Sequence, residues 1–175
     1  MELVEGVATV DDLDAFVARL GEIGDEHGAS VQAFDARTVV DRAHLDRAVE
    51  LADRALARGE NVARDRAVEV LLYAAGTRQI DRALELGVND GECPAVVLVD
   101  AREHSDDPSA AEQRAAAAVR DLTGPGRIEP AETLGEYDGE RVREYFAVSD
   151  AELDAVEGSL ADVVRERVAL LDVAK

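Results

Sequence analysis

The sequence predicts a single α+β domain over residues 1–175, with a mixed or antiparallel sheet of about three to five strands and about seven helices packed around it. Three observations predict it. Segments of strand-like alternation and segments of helical spacing are interleaved at short, irregular intervals, unlike the strict repeat of a doubly wound sheet. The run CPAVVLVD, ending at Asp100, is continuously apolar and bounded by Pro94 and Asp100, as in a strand buried on both faces. The segment VEVLLYAAG, ending at Gly76, is apolar all round where a surface helix would show one stripe, so it belongs at the centre of the fold.

The elements follow in order. MELVEGVATV reads as a strand, and Thr9 or Asp11 can cap a helix whose apolar positions are Leu13, Phe16, Val17, Leu20 and Ile23, with Gly24 and Gly28 at its end. A second strand is expected from Ser30 to Val40. Asp41 then caps a helix to Arg58, with Leu45, Ala48, Val49, Ala52, Ala55 and Leu56 on one stripe and Gly59 as its left-handed stop. Asn61 is expected to cap the next helix, which Gly76 ends. Thr77 starts another, TRQIDRALELG, with Ile80, Ala83 and Leu84 inward. After the CPAVVLVD strand, Asp107 and Pro108 open an alanine-rich helix to Leu122, and TGPG turns into a short strand near Arg127 to Glu129. A short helix near Glu140 to Phe146, an S-x-x-E box at Ser149 and Glu152, and a break at Gly158-Ser159 before a last helix complete the chain.

A chain of this length can bury roughly two thirds of the surface its unfolded form exposes. The single Cys93 excludes an internal disulfide, and His27, His44 and His104 stand too far apart for a zinc motif. The reading is of a cytoplasmic protein with no membrane span, no targeting segment, no metal and no cofactor. Lys175 is the only lysine, and the formal net charge is −20. This arginine-for-lysine, acid-rich composition is similar to that of proteins from halophilic archaea. At molar salt the Debye length is about 3 Å, so long-range repulsion from phosphates vanishes and RNA binding would rest on short-range contacts.

One stretch departs from the acidic background. From Arg54 to Arg82, Arg54, Arg58, Arg64, Arg66, Arg78 and Arg82 face only Glu60, Asp65, Glu69 and Asp81. Within it, Arg78 is expected in the first turn of a helix beginning at Thr77, where unpaired N–H groups and the helix dipole favour an anion and disfavour a cation. Arg64 repeats the anomaly one helix earlier. Gln79 suits a base edge or a ribose hydroxyl, and Tyr73 could offer a ring for stacking. Arg64, Tyr73, Arg78, Gln79 and Arg82 are thus the candidate RNA-binding set. The same residues also fit a structural reading, in which the arginines pair with Asp65, Asp81 or Glu69 and Tyr73 is core. A third reading gives the helix-start pocket to a small anionic metabolite.

Enzyme patterns are thin: there is no P-loop, and no Ser/His/Asp or Cys/His order with persuasive spacing. His44 reads as a helix-surface residue. In the last helix Val163, Val164, Leu170, Leu171 and Val173 offer more apolar surface than one core face requires, which marks a candidate partner-binding strip.

These residues also carry a resemblance. Asn61-Val62-Ala63-Arg64, Glu69-Val70-Leu71-Leu72-Tyr73, and Arg78-Gln79-Ile80 with Ala83-Leu84 resemble the small accessory subunits of the KEOPS complex, the PRPK-binding protein (TPRKB)-like family. Supporting similarity lies in Asp35-Ala36-Arg37 to Val40, in His44-Leu45 and Ala48, and in Glu166 to Asp172. The resemblance implies a non-catalytic subunit of the machinery that installs threonylcarbamoyladenosine in tRNA. Its implied partners are a small atypical kinase/ATPase subunit and the tRNA 3′ CCA end. The family's usual lysines are absent, so their phosphate contacts would fall to arginines. A kinase-binding regulatory subunit without RNA binding is the alternative.

Overall fold

The computed structural model describes residues 1–102 and 104–173. Along the chain run β1 (Glu2–Val10), α1 (Leu13–His27), β2 (Ser30–Asp35), α2 (Arg42–Arg58), α3 (Arg66–Ala75), α4 (Ile80–Leu84), β3 (Gly91–Asp100), α5 (Pro108–Arg120), β4 (Gly126–Pro130), α6 (Gly139–Tyr145), α7 (Asp150–Ala155) and α8 (Leu160–Val173). An α+β fold is therefore the observed class. The chain divides into two compact units, Met1–Ala36 with Gly87–Thr133, and Arg37–Leu86 with the described residues from Leu134 onward.

In the first unit the sheet has the order β2-β3-β1-β4, with every neighbouring pair antiparallel. β1 pairs with β3 along its whole length, from Glu2 opposite Val99 to Val10 opposite Gly91. Its alternation is of the half-buried kind: Val4, Gly6, Ala8 and Val10 are buried and the residues between them are not. Helices α1 and α5 set Phe16, Leu20, Ile23, Ala111, Ala115 and Val119 into one core with Val4, Ala8, Val97 and Val99 of the strands. All of β3 from Ala95 to Asp100 is buried, as its unbroken apolar run requires. The helix caps also follow the residue chemistry. Asp12, not Thr9 or Asp11, caps α1 by accepting the Ala15 N–H, and Gly28 closes it in the left-handed region.

β2 is shorter than its alternation implies, since it ends at Asp35 and a single 3-10 turn, Ala36–Thr38, follows. Val39 and Val40 are buried, so the apolar pattern read as strand is satisfied by packing in a turn.

The second unit is helical. Asp41 caps α2 through the His44 N–H, and Gly59 ends it at φ 68°. α2 packs against α3 and α8, and α3 also packs against α4 and α8. Leu45, Ala48, Val49, Ala52 and Ala55 form the inaccessible stripe of α2, and Val70, Leu71, Leu72 and Ala74 do the same for α3.

Candidate nucleic-acid and partner surfaces

The two arginines singled out by the sequence sit just outside the two ends of α3. At the N-terminal end, Asp65 is the cap, its carboxylate accepting the Val68 N–H at 3.2 Å, so the expectation of an Asn61 cap is corrected. Asn61 instead donates to the Ala63 carbonyl at 2.8 Å, bracing the loop. Buried Glu69 reaches back one turn, and its Oε2 accepts the N–H groups of Val62 at 3.1 Å and Ala63 at 2.8 Å. Arg66 forks onto Asp53 of α2, Nε to Oδ1 at 2.6 Å and Nη2 to Oδ2 at 2.9 Å. Arg64 therefore projects from a loop fixed on three sides. It lies before the cap and not in the first helical turn, so it does not oppose the helix dipole.

At the C-terminal end, Gly76 adopts φ 63° and closes a Schellman motif, with its N–H on the Tyr73 carbonyl at 3.0 Å and the Thr77 N–H on the Leu72 carbonyl at 3.2 Å. The expected helix start at Thr77 is also corrected. The Thr77 hydroxyl accepts the Gln79 N–H at 3.2 Å, and α4 begins only at Ile80 and has five residues. Thr77 thus forms a short turn instead of a cap, and so brief a helix gives no dipole worth an anion site. Arg78 and Gln79 are exposed in that turn. Of the residues expected inward on α4, only Ala83 is buried; Ile80 is 43% exposed and Leu84 53%.

Tyr73 and Arg82 do not offer what the sequence suggested. Tyr73 is 2% exposed, with its hydroxyl donating to Asp172 at 3.4 Å, because the all-round apolar α3 places it in the core. Its ring cannot stack on a base. Arg82 is engaged within the fold: its guanidinium lies 4.4 Å over the Tyr145 ring, reaches Glu85 at 3.2 Å and donates to the Tyr145 carbonyl at 2.7 Å. The Tyr145 hydroxyl returns a bond to the Arg82 carbonyl at 2.6 Å, and burial pushes this phenol up to about 12.

Arg64 and Arg78 have no side-chain hydrogen bond or ion pair among the described residues, and neither do Arg58 at the end of α2, Arg114 of α5 and Arg141 of α6, which sequence reasoning did not select; of these five, only Arg64 and Arg78 lie in loops. Most of the other arginines are tied to carboxylates, as the acid excess of the sequence favours. Arg64 and Arg78 lie beyond opposite ends of α3, whose ten residues at about 1.5 Å each make it about 15 Å long. They are two separate points of positive charge and not one pocket.

The apolar strip of α8 divides. Val163 and Val164 are buried and belong to the helical core, whereas Leu170 is 47% exposed, Val173 78%, and Leu171 lies between. The cause is helical phase: positions 163, 164 and 168 face inward, while 170 and 173 fall on the outer side. Asp172 pins this end, 3.7 Å from Arg54.

His44 is wholly buried and not on the helix surface. Its Nδ1 accepts the Val40 N–H at 3.4 Å, so Nε2 carries the proton and donates to the Ala74 carbonyl at 2.8 Å. Burial holds its pKa below the usual histidine range, only partly offset by the bond to Ala74. Its place on the apolar side of α2, in line with Ala48, Leu51 and Ala55 at i+4, i+7 and i+11, is the signal that could have revealed it. Among the described residues no group of three His, Cys, Asp or Glu could hold a metal ion, and no helix is long and apolar enough to cross a membrane.

The family model described as kinase binding protein CGI-121 matches residues 13–172, which takes in both flanks of α3 and nearly all of α8. No curated protein matches the chain.

Proposed function

The chain belongs to the kinase binding protein CGI-121 family, and from that membership we propose that it is a non-catalytic KEOPS subunit of a halophilic archaeon. In this reading it binds an atypical kinase/ATPase subunit and the tRNA 3′ CCA end in the cytoplasm, and so supports threonylcarbamoyladenosine modification. The observation that carries the RNA part is the unspent charge of Arg64 and Arg78. In a chain with 39 acidic residues, these two loop guanidinium groups have no carboxylate partner among the described residues, and each lies two positions along the chain from an exposed aliphatic residue, Val62 and Ile80. A planar fork for phosphate beside an apolar surface for a base or ribose is the pairing that single-stranded RNA requires. Gln79 adds a donor and acceptor for a base edge. Tyr73 supports this surface from beneath, through the core of α3, and Arg82 holds α4 against α6.

We assign the kinase contact to the end of α8, where Leu170 and Val173 are exposed and Leu171 is half-buried, because apolar side chains left open there have no role in the core. Val163 and Val164 act as its foundation. The experiment is a pair of binding measurements in molar salt. Intact tRNA should bind the protein, tRNA lacking its CCA end should bind more weakly, and Arg64→Ala and Arg78→Ala should each weaken binding. Leu170→Glu should abolish kinase capture and spare RNA. If tRNA binding ignores both arginines and the CCA end while kinase capture survives, the chain is a kinase-binding regulatory subunit without RNA binding.

A further inference from the structure

Resting on the RNA-binding reading above, we propose that Arg58 and Arg64 together form a second phosphate-binding site, at the end of the helical unit where α2 and α3 join, which takes the sugar-phosphate backbone of the tRNA outside its CCA bases. Arg58 is the last residue of α2 and Arg64 stands two positions before α3, so connectivity puts both at that end. The end is braced. Arg66, the first residue of α3, forks onto Asp53, five positions before Arg58, and Glu69 takes the N–H groups of Val62 and Ala63 in the loop between the helices. Two exposed guanidinium groups therefore stand at one end of one fixed frame.

Neither side chain bonds to a described residue. A cation in the last turn of a helix can serve the carbonyls left open there, but in α2 the Leu56 carbonyl already accepts the Gly59 N–H at 3.2 Å and the Ala55 carbonyl the Glu60 N–H at 2.9 Å. Nearby carboxylates are committed elsewhere: Asp53 to Arg66, Asp65 to the Val68 N–H, and Glu60 is engaged as well. In a chain of net charge −20, two arginines kept in this state suit a guest that brings its own negative charge, and the guanidinium fork matches phosphate oxygens. The two ends of α3 are equipped differently. Beside Arg78 stands Gln79, whose amide can read a base edge, whereas Asn61 at the Arg58–Arg64 end spends its amide N–H on the Ala63 carbonyl at 2.8 Å. Charge without a base-reading side chain positions a strand and is indifferent to its sequence. The site should therefore hold tRNA whether or not the CCA bases are present. The end of α8 is close by, with Asp172 3.7 Å from Arg54 of α2, so an acidic patch on the kinase subunit is the rival guest.

The test measures the affinity of the full chain for intact tRNA and for tRNA lacking CCA across a KCl series from about 0.5 M to about 2 M. The proteins are the wild type, Arg58→Ala, Arg58→Lys, Arg64→Ala and Arg78→Ala, with Arg141→Ala, exposed and unpaired on α6, as the control for loss of one charge. Arg58→Ala should lower the slope of log affinity against log salt by about 0.7 for both RNAs, the share of one phosphate contact, while Arg58→Lys and Arg141→Ala should keep the wild-type slope. A wild-type slope in Arg58→Ala, or an equal fall in Arg141→Ala, overturns the proposal. A fall confined to intact tRNA, or no measurable binding of the shortened tRNA, gives Arg58 to the CCA site and also overturns it. So does loss of kinase capture in Arg58→Glu with tRNA affinity unchanged. If removal of CCA and Arg78→Ala change nothing while Arg58→Ala and Arg64→Ala keep their effect, the CCA reading fails and this site stands. If no tRNA binds at any salt, both fail.

Discussion

Arg64 and Arg78 are exposed and unpaired among the described residues, whereas Arg66, two positions from Arg64, is 7% exposed and forked onto Asp53. The two kinds of arginine should respond oppositely to truncation. Arg66→Ala strands the Asp53 carboxylate and should cost about 3–5 kcal/mol in urea unfolding, while Arg64→Ala and Arg78→Ala should stay within about 0.5 kcal/mol. Their effect belongs to binding: each should reduce the salt slope of RNA affinity by about 0.7 for a single strand. His44 sets a pH window for folding. Its folded pKa lies below the unfolded value near 6.5, so below that pH the unfolded chain binds more protons than the native one and stability falls as the solution is acidified. Urea titrations from pH 7 to 5 should show this fall in the wild type and a weaker one in His44→Gln. Tyr145 is the alkaline counterpart. Its phenol should ionise about 12, which absorbance near 295 nm will read, and the stability it contributes is lost as pH rises from about 10 through 12.

The helix α3 and its two caps make one unit whose C-terminal stop depends on glycine. A Cβ at Gly76 would meet only the Arg167 carbonyl and the Phe146 ring at 3.7 Å, ordinary contact distances, so the cost of Gly76→Ala is that of the left-handed backbone, about 1–2 kcal/mol, which thermal or urea unfolding will measure. This stop was legible in the sequence, as were Asp41, Gly59 and Ser149 as helix boundaries, because capping depends on residues close together in the chain. β3 was legible for a similar reason. The two arginine-bearing loops were not. Asn61 and Thr77 both have capping chemistry, but Glu69 claims the first loop by taking the N–H groups of Val62 and Ala63, and Thr77 spends its hydroxyl on Gln79. These bonds are local, spanning seven and six residues for Glu69 and two for Thr77, and they compete with capping for the same polar groups, so residue type alone does not decide between them. For Tyr73 and Arg82 the deciding contacts are tertiary: of the two readings the sequence leaves open for Tyr73, a stacking ring or a core residue, packing selects the core, and the partner of Arg82, Tyr145, is 63 residues away.

At the scale of the chain, the net charge of −20 at pH 7 is the dominant long-range term. Self-repulsion among the carboxylates should make the protein gain thermal stability as KCl rises from about 0.1 M toward about 1 M, where the Debye length contracts to about 3 Å. The same screening lets phosphate approach an acidic protein at all, and leaves short-range guanidinium and apolar contacts to hold it. Those contacts are the central claim, and the affinity of tRNA for this protein in molar salt, with and without the 3′ CCA end, tests them most directly. Intact tRNA should bind, and removing CCA or substituting Arg78 by alanine should each weaken binding by roughly tenfold, the loss of about 1.4 kcal/mol within the range of one stacked base. Equal affinity for the intact and shortened tRNA, unchanged by loss of either arginine, would contradict the account.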